Sequence, residues 1–224
     1  SRKEAKCIGI DIIIDTKTGH NFVDENEVRD RILTTSGDII GVSAKKIDAG
    51  KLEQEISEIP TIKKAEVFMD LKGKVSVEIE PRNPIARLFW NNGKSIYLDE
   101  DGGWMPLSDK YTARVIVING NLPDSRGDEN SDKTWNELFI LVQTIRSDAF
   151  LRAQVEQIYR NLKGDLILFP RVGKHSILLG NTQNLDRKFD KLKLFYKEGL
   201  SKVDWNKYKQ IDLRYKNQVV CTKR

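Results

Sequence analysis

The stretch that decides the fold is IPTIKKAEVFMDLKGKVSVEIEPRNPIARL, residues 59–88. Apolar residues stand at every second position along two of its runs, 65–69 and 75–79, and a Lys-Gly pair stands between the runs. Such a period of two is typical of a strand with one buried face, and a Lys-Gly pair favours a turn. The stretch therefore predicts a β-hairpin. The hairpin ends at PRNP, residues 81–84, because neither proline can donate a hydrogen bond to a ladder.

Upstream of this hairpin, the sequence predicts one strand followed by two helices. The strand has a face of isoleucines at every second position: Ile8, Ile10, Ile12 and Ile14. Asp24 and Asp48 each stand just before a helical stripe of apolar residues, which is the position that an N-cap residue takes. Gly37 and Pro60 follow the two stripes and end them. Residues 1–80 are thus predicted to form one domain with the element order β-α-α-β-β.

Residues 81–224 have a different texture and predict a further, β-rich domain. Short apolar runs alternate with turn residues, and each such run predicts a strand. The predicted strands are 85–90, 95–98, 115–118, 155–159, 165–169 and 176–179. One predicted helix lies between 115–118 and 155–159, carries Trp135 on its apolar side and is capped by Ser131 or Asp132, and a second spans 185–200, after the last of these strands. The fold class is therefore α+β, with two or more helices packed on a sheet in the second domain.

The last fifteen residues, QIDLRYKNQVVCTKR, predict a terminal hairpin. Apolar and polar residues alternate over 211–216, residues 216–217 can turn, and residues 218–222 form a second short strand. A strand at the edge of a sheet has a row of unpaired N–H and C=O groups, and proteins normally blunt or cover it. We expect this edge to be left open for a partner strand, which would form main-chain hydrogen bonds with it.

The composition is that of an ordinary globular protein, with 39% hydrophobic and 32% charged residues and a net charge of +5. The charge is uneven: residues 1–80 carry 13 basic and 16 acidic side chains, whereas residues 181–224 carry 12 basic and 5 acidic ones. The C-terminal region therefore favours an acidic partner, unless its lysines only form a solvated basic face. Cys7 and Cys221 stand near opposite ends of the sequence, and we expect two buried or idle thiols.

The sequence contains no apolar run of about 18 residues, the length that a membrane-spanning helix needs. Ser1 stands where an initiator Met is expected, and basic residues crowd the start. We therefore expect a piece of a longer protein, with room for an anchor or signal segment upstream.

Residues that could carry chemistry are few and scattered. His20 and His175 have no second His or Cys at metal-ligand spacing, and we expect both on the surface or in loops. Ser108 lies in no nucleophile elbow, and the DEDGG loop at 99–103 lacks the spacing of an EF-hand. No Gly-rich phosphate loop is present. The sequence therefore predicts no enzyme, no catalytic residue, no metal and no cofactor.

The basic residues after position 180 are interleaved with aromatic ones, a pattern that nucleic-acid-binding proteins also use. However, Phe189 and Phe195 belong to the apolar stripe of the last predicted helix, and Trp205 lies where the chain must dock before the hairpin. Side chains that the core needs cannot also stack on bases. We therefore expect no nucleic-acid partner.

Three segments together resemble the FtsQ/DivIB family of bacterial cell-division proteins: residues 59–88, YLDEDG at 97–102 and IDLRY at 211–215. Residues 1–80 resemble a POTRA domain, and residues 81–224 resemble the family's β domain. The resemblance implies a single-pass protein of the cytoplasmic (inner) membrane, with these residues on its periplasmic side, acting as a scaffold of the division complex. It also implies that the POTRA-like part supports recruitment, and that the end of the β domain binds coiled-coil proteins of the FtsB/DivIC and FtsL types.

In that family a partner strand adds to the last strand of the sheet, so the resemblance implies partner-binding residues at this end of the chain. These are Arg214, Tyr215, Gln218, Val219, Val220 and Cys221. Arg214 and Tyr215 match the family's Arg-Tyr pair and offer a charged fork and a flat amphipathic surface. Alternate residues of a strand face opposite sides, so Val219 and Cys221 would share one face. The alternative is that Val219 and Cys221 only fill the core and that Arg214 pairs with a neighbouring carboxylate.

A rival function keeps the POTRA-like domain but assigns it to outer-membrane protein assembly or secretion. That function predicts several tandem β-α-α-β-β units, or a barrel of alternating segments about ten residues long. Neither pattern is visible in the sequence, which favours the division protein.

Overall fold

The computed structural model describes residues 5–17, 19, 21–199 and 206–224. The chain divides into two compact units. The first unit runs to Asn83 and also contains Met105–Ala113, and the second contains Pro84–Trp104 and Arg114–Arg224.

Within the first unit, side-chain contacts with Phe22 and Asp24 hold the segment Met105–Ala113. The Tyr111 ring packs edge-on against the Phe22 ring, with centroids 4.9 Å apart. The Lys110 ammonium forms an ion pair with the Asp24 carboxylate. Both contacts join residues far apart in the sequence, and no local pattern indicates them.

The first unit has the element order β-α-α-β-β that the sequence predicts, which confirms the POTRA-like fold. Its elements are β1 (Gly9–Ile14), α1 (Glu25–Ser36), a short 3-10 turn (Ala44–Lys46), α2 (Ala49–Ser57), β2 (Ile62–Met69) and β3 (Lys74–Pro81). The strand order is β1-β3-β2, with β1 parallel and β2 antiparallel to β3. Asp24 and Asp48 cap the two helices by accepting hydrogen bonds from the backbone N–H groups of Asn26 and Lys51. Both predicted caps are therefore confirmed.

The first strand begins later than its isoleucine pattern predicts. The later three isoleucines pack against the core of the unit, but Ile8 is 67% exposed. The Cys7 N–H donates to the Val42 carbonyl at 2.8 Å, and the Cys7 carbonyl accepts from the Gly41 N–H at 2.7 Å. Because this loop holds the backbone at Cys7, the side chain of Cys7 is buried instead. The prediction that Ile8 lies on the buried face is wrong.

At the β2 edge of this sheet, side chains of α2 accept hydrogen bonds from two backbone amides. The N–H of Ala65 donates to the Ser57 Oγ at 3.2 Å, and the N–H of Val67 donates to the Glu53 Oε1 at 2.8 Å. Both amides point away from β3, so no strand of this sheet pairs with them. Two backbone N–H groups that an added strand would need are thus already bonded to side chains of α2.

The second unit is built on a mixed sheet, which has nine strands within the described residues. The strands are β4 (Pro84–Phe89), β5 (Ser95–Asp99), β6 (Trp104–Met105), β7 (Ile116–Gly120), β8 (Val155–Arg160), β9 (Leu166–Pro170), β10 (Ser176–Gly180), β11 (Tyr208–Asp212) and β12 (Val220–Lys223). Their order is β12-β11-β10-β9-β8-β7-β4-β5-β6. The helices are α3 (Glu129–Ser147), α4 (Ala149–Gln154) and α5 (Leu185–Glu198). This arrangement confirms the predicted α+β class, with helices and strands sharing one apolar core.

Helix α3 is capped one turn earlier than predicted. Asp128 accepts a hydrogen bond from the Ser131 N–H at 3.0 Å, so Ser131 and Asp132 lie inside the first turn. Trp135 is 2% exposed and lies in the core, as its apolar stripe predicts. Across the part of the chain that the structure describes, no helix is both long and apolar enough to cross a membrane.

Candidate partner-binding edge

Strand β12 lies at one end of the strand order in the second unit and, among the described residues, pairs only with β11. The pairing is antiparallel and places Ile211 opposite Cys221 and Asp212 opposite Val220. The terminal hairpin is therefore present, but residues 213–219 join its strands where the sequence predicts a shorter turn. The outer side of β12 is an open sheet edge within the described chain.

Two backbone hydrogen bonds establish which groups of β12 point out of the sheet. The Leu213 N–H donates to the Leu178 carbonyl at the end of β10 at 2.9 Å. Neighbouring residues of a strand direct their N–H groups to opposite sides, so the N–H group of Asp212, the last residue of β11, points toward β12. The Arg224 N–H donates to the Lys207 carbonyl next to β11 at 3.2 Å. Because Asp212 pairs with Val220, both bonds agree: the backbone N–H and C=O groups of the even-numbered residues of β12 point toward β11.

By this alternation, the N–H and C=O groups of Cys221 and Lys223 point away from the sheet. Those of Val220 and Thr222 point toward β11 and belong to the existing ladder. The open edge thus offers the main-chain groups of two residues to an incoming strand.

The side chains of the predicted site residues alternate as a strand requires. Val219 and Cys221 are partly buried and pack against the core, whereas Val220 is 38% exposed and Gln218 is exposed. Burial raises the pKa of the Cys221 thiol, which lowers its reactivity. Val219 and Cys221 therefore contribute to the core, while their strand still forms the edge.

Arg214 is paired with a neighbouring carboxylate, which the sequence left as an alternative. Its guanidinium donates to both Asp212 oxygens at 3.0, 3.2 and 2.8 Å, and it lies 3.8 Å from an Asp165 oxygen. Burial alone would raise the pKa of the Asp212 carboxyl, but the hydrogen bonds from Arg214 hold it below its ordinary value. The side chain of Arg214 is still 45% exposed, and Tyr215 is 47% exposed. Tyr215 therefore presents its ring at the surface, whereas the fork of Arg214 already has a partner.

Lys191 of α5 holds the link between β11 and β12, and sequence reasoning missed it. Its Nζ donates to the carbonyls of Leu213 at 3.1 Å and Gln218 at 3.4 Å, and also to that of Tyr215. Its partners lie 22 to 27 residues away. The helical pattern marks Lys191 only as a polar position, so no sequence signal could have found this contact.

Exposed basic side chains surround β12. They are Lys174, Lys207, Lys209, Lys216, Lys223 and Arg224. The guanidinium of Arg224 also donates to the Lys174 carbonyl, which ties the end of β12 to the loop before β10. Because the charge of Asp212 is compensated by Arg214, the surroundings of the edge are predominantly positive.

His175 lies in a loop just before β10, but it is not on the surface. It is 2% exposed, and its Nε2 lies 2.7 Å from the hydroxyl of Tyr196. The loop position agrees with the expectation of a surface or loop residue, but the side chain is buried because α5 brings Tyr196 over this loop. His20 and Trp205 lie outside the described residues.

The described part of the chain contains no metal-binding cluster, and its two cysteines are not bonded to each other. There, no group of three or more His, Cys, Asp or Glu side chains could hold a metal ion. Cys7 is buried, Cys221 is partly buried, and both are free thiols.

Comparison with known proteins matches both parts of the chain. A family model described as FtsQ/DivIB, C-terminal related, matches residues 83–222, and a POTRA-like domain model matches residues 5–80. The cell division protein FtsQ of Geotalea daltonii is 27% identical over 174 residues. This similarity covers 76% of the present chain and 62% of the relative, so the chain spans less than two thirds of that protein.

Proposed function

Because this chain belongs to the FtsQ/DivIB family of cell-division proteins, we propose that it is a non-enzymatic scaffold of the bacterial division complex. The β12 edge binds a strand of a small coiled-coil division protein of the FtsB/DivIC type, and a protein of the FtsL type joins the same assembly. The chain is the extracytoplasmic part of a protein with one membrane anchor upstream. Its POTRA-like domain, residues 1–80, supports recruitment, and its β domain, residues 81–224, carries the partner-binding edge.

One observation carries this proposal: the outward main-chain groups of Cys221 and Lys223 have no partner strand in the described chain. Strand addition would pair these groups and extend the sheet by one strand. Each such hydrogen bond contributes a net of about 0.5 to 1.5 kcal/mol. A few of them, with side-chain contacts to the exposed Val220 and Tyr215, suffice for a specific but reversible complex.

The chemistry around the edge favours an acidic partner segment. The exposed lysines beside β12 would attract carboxylates, and they would raise the association rate more than the final affinity. The association rate should therefore fall as salt is added, because exposed charges are screened.

The test is binding of the chain to a soluble coiled-coil partner of the FtsB/DivIC type, with the variant Lys223→Pro. Proline at 223 removes an outward N–H and places its ring where the partner backbone would lie. It leaves the ladder with β11 intact, because the Lys223 N–H does not belong to it, and proline is tolerated on edge strands. We expect at least about tenfold weaker binding.

The matched control is Lys223→Ala, which removes the same charge but keeps the backbone N–H. It should bind within about threefold of the parent, since one exposed charge contributes little. Equal binding by folded Lys223→Pro and Lys223→Ala would rule out strand addition at β12. An absence of binding by the parent chain would rule out the proposed partner.

A further inference from the structure

Lys191 in α5 donates hydrogen bonds to three backbone carbonyls of the link that joins β11 to β12. Its Nζ lies 3.1 Å from the Leu213 oxygen and 3.4 Å from the Gln218 oxygen, and it also contacts the Tyr215 oxygen. An ammonium group has three donors and no acceptor, so three carbonyl oxygens use its full donor capacity. Hydrogen bonds from a charged donor are also stronger than those between neutral groups.

This contact matters because few other contacts order the middle of the link, residues 214–218. Within the described chain, residues 213–219 form no backbone–backbone hydrogen bond among themselves. At the ends of the link, the Leu213 N–H donates to the Leu178 carbonyl at 2.9 Å, and Leu213 and Val219 pack in or against the core. Between these ends, Arg214 pairs with Asp212, and Arg187 of α5 reaches the Asn217 Oδ1 at 3.5 Å. Strand β12 has four residues and, within the described chain, pairs with β11 alone, so few ladder hydrogen bonds hold it. The order of β12 therefore depends on where its link is held.

We propose that Lys191 is a positioning residue of the partner-binding edge. Its charge holds the link so that the outward groups of β12 are ordered before a partner strand arrives. This inference rests on the proposed function, because β12 must be the edge that the partner uses. Order before binding reduces the conformational entropy lost on association, so Lys191 raises the affinity without touching the partner.

The position of Lys191 supports this role over that of a direct contact. Its side chain is partly buried, and its three donors are directed at carbonyls of its own chain. Burial and the neighbouring charge of Arg187 lower its pKa, so the site tolerates the ammonium at a cost that the carbonyls offset. A group held in this way acts on the partner through β12.

The test compares Lys191→Met and Lys191→Arg with the parent chain. Methionine keeps the length of the side chain and removes its charge, whereas arginine keeps the charge and several donors. The control is Lys163→Met, which removes the same charge from an exposed turn between β8 and β9. The measurements are amide hydrogen exchange over residues 213–224 and the dissociation constant for the soluble coiled-coil partner of the FtsB/DivIC type.

We expect Lys191→Met to speed the exchange of the inward amides of Val220 and Thr222 and to weaken partner binding, each by about tenfold. Lys191→Arg should restore most of both, and Lys163→Met should match the parent. Thermal unfolding checks that the second unit stays folded. If Lys191→Met unfolds it, Lys191→Gln, which keeps a donor, replaces it.

The outcomes separate this inference from the proposed function. Unchanged exchange in Lys191→Met overturns the positioning role, whatever the affinity does, because a direct contact would weaken binding without loosening β12. Faster exchange with unchanged affinity overturns it as well, while the edge remains the binding site. If the parent chain fails to bind, the proposed partner is wrong, and the positioning of a binding edge falls with it even where exchange shows that Lys191 orders β12.

Discussion

Replacing Arg214 with methionine should destabilise the second unit, because it removes the main partner of the Asp212 carboxylate. Methionine keeps an aliphatic stem over Gly180, where an added Cβ would lie 2.9 Å from the Arg214 Cγ. The change therefore removes the guanidinium and little else. The Asp212 side chain is only 12% exposed, whereas that of Arg214 is 45% exposed.

The magnitude follows from this uneven burial. An exposed ion pair contributes at most about 1 kcal/mol, whereas removing the partner of a fully buried charge costs about 3 to 5 kcal/mol. The present pair lies between these limits, because water screens Arg214 more than Asp212. The backbone N–H of residue 214, which lies 3.0 Å from the Asp212 Oδ1, also remains in the variant. We expect a loss of about 1.5 kcal/mol in the free energy of unfolding at pH 7.

The loss should also depend on pH in one direction. Although burial opposes the shift, Arg214 holds the pKa of Asp212 below its ordinary value. The stabilisation is therefore fully present above that ordinary value, about 3.9, and is lost as the pH falls through the lower pKa of the folded state. The parent and Arg214→Met should differ at pH 7 and converge in strong acid.

Urea unfolding followed by tryptophan fluorescence measures both effects. Trp90, Trp104 and Trp135 cluster in the second unit, with ring centroids 5.5, 5.9 and 6.0 Å apart, so their emission reports on its unfolding. Asp212→Asn and the double variant with Arg214→Met complete a cycle, for which we expect a coupling of about 1 kcal/mol. A coupling near zero at pH 7, or a difference that persists in strong acid, would refute the reasoning.

Two further predictions concern backbone groups. Glu53→Ala removes the side-chain acceptor of the Val67 N–H, so it should speed amide exchange at Val67 and lower the free energy of unfolding by about 1 kcal/mol. Glu53→Gln keeps an acceptor and should stay close to the parent in both measurements. Gly120→Ala should cost more than about 2 kcal/mol in urea unfolding, because residue 120 has φ +99° and its new Cβ would lie 2.2 Å from the Arg160 carbonyl oxygen. Gly127→Ala is the control, with φ +108° but open space around it, and should cost about 1 kcal/mol; equal losses at the two glycines would contradict the steric argument.

Local chemistry accounts for the parts of the fold that were predictable from the sequence. Asp24 and Asp48 each had a single well-placed capping position before an apolar stripe, and each caps its helix. Before α3 several polar residues compete for this role, and the true cap, Asp128, lies one turn upstream of the predicted ones. Ile8 fits the period of its strand, but long-range pairing at Cys7 decides where that strand begins.

The edge strand was also predictable: once the first strand of a terminal hairpin pairs with the sheet, the second strand forms its edge. The side-chain contacts around that edge were harder to predict. The sequence left open whether the guanidinium of Arg214 is free or paired with a neighbouring carboxylate, and it is paired with Asp212, two residues away. The contact from Lys191 crosses from a helix to a link more than twenty residues away, and such contacts depend on the packed fold instead of any periodic pattern.

The side chains of Glu53 and Ser57 determine whether the β2 edge of the first unit can pair with another strand. An intruding chain must compete for these amides with side chains that are tethered beside them, and a tethered competitor acts at a very high effective concentration. Pairing of a passing extended polypeptide with these two amides is therefore disfavoured without any steric cover. A change that moves α2 away would release the N–H groups of Ala65 and Val67 together, and the edge could then pair with another strand.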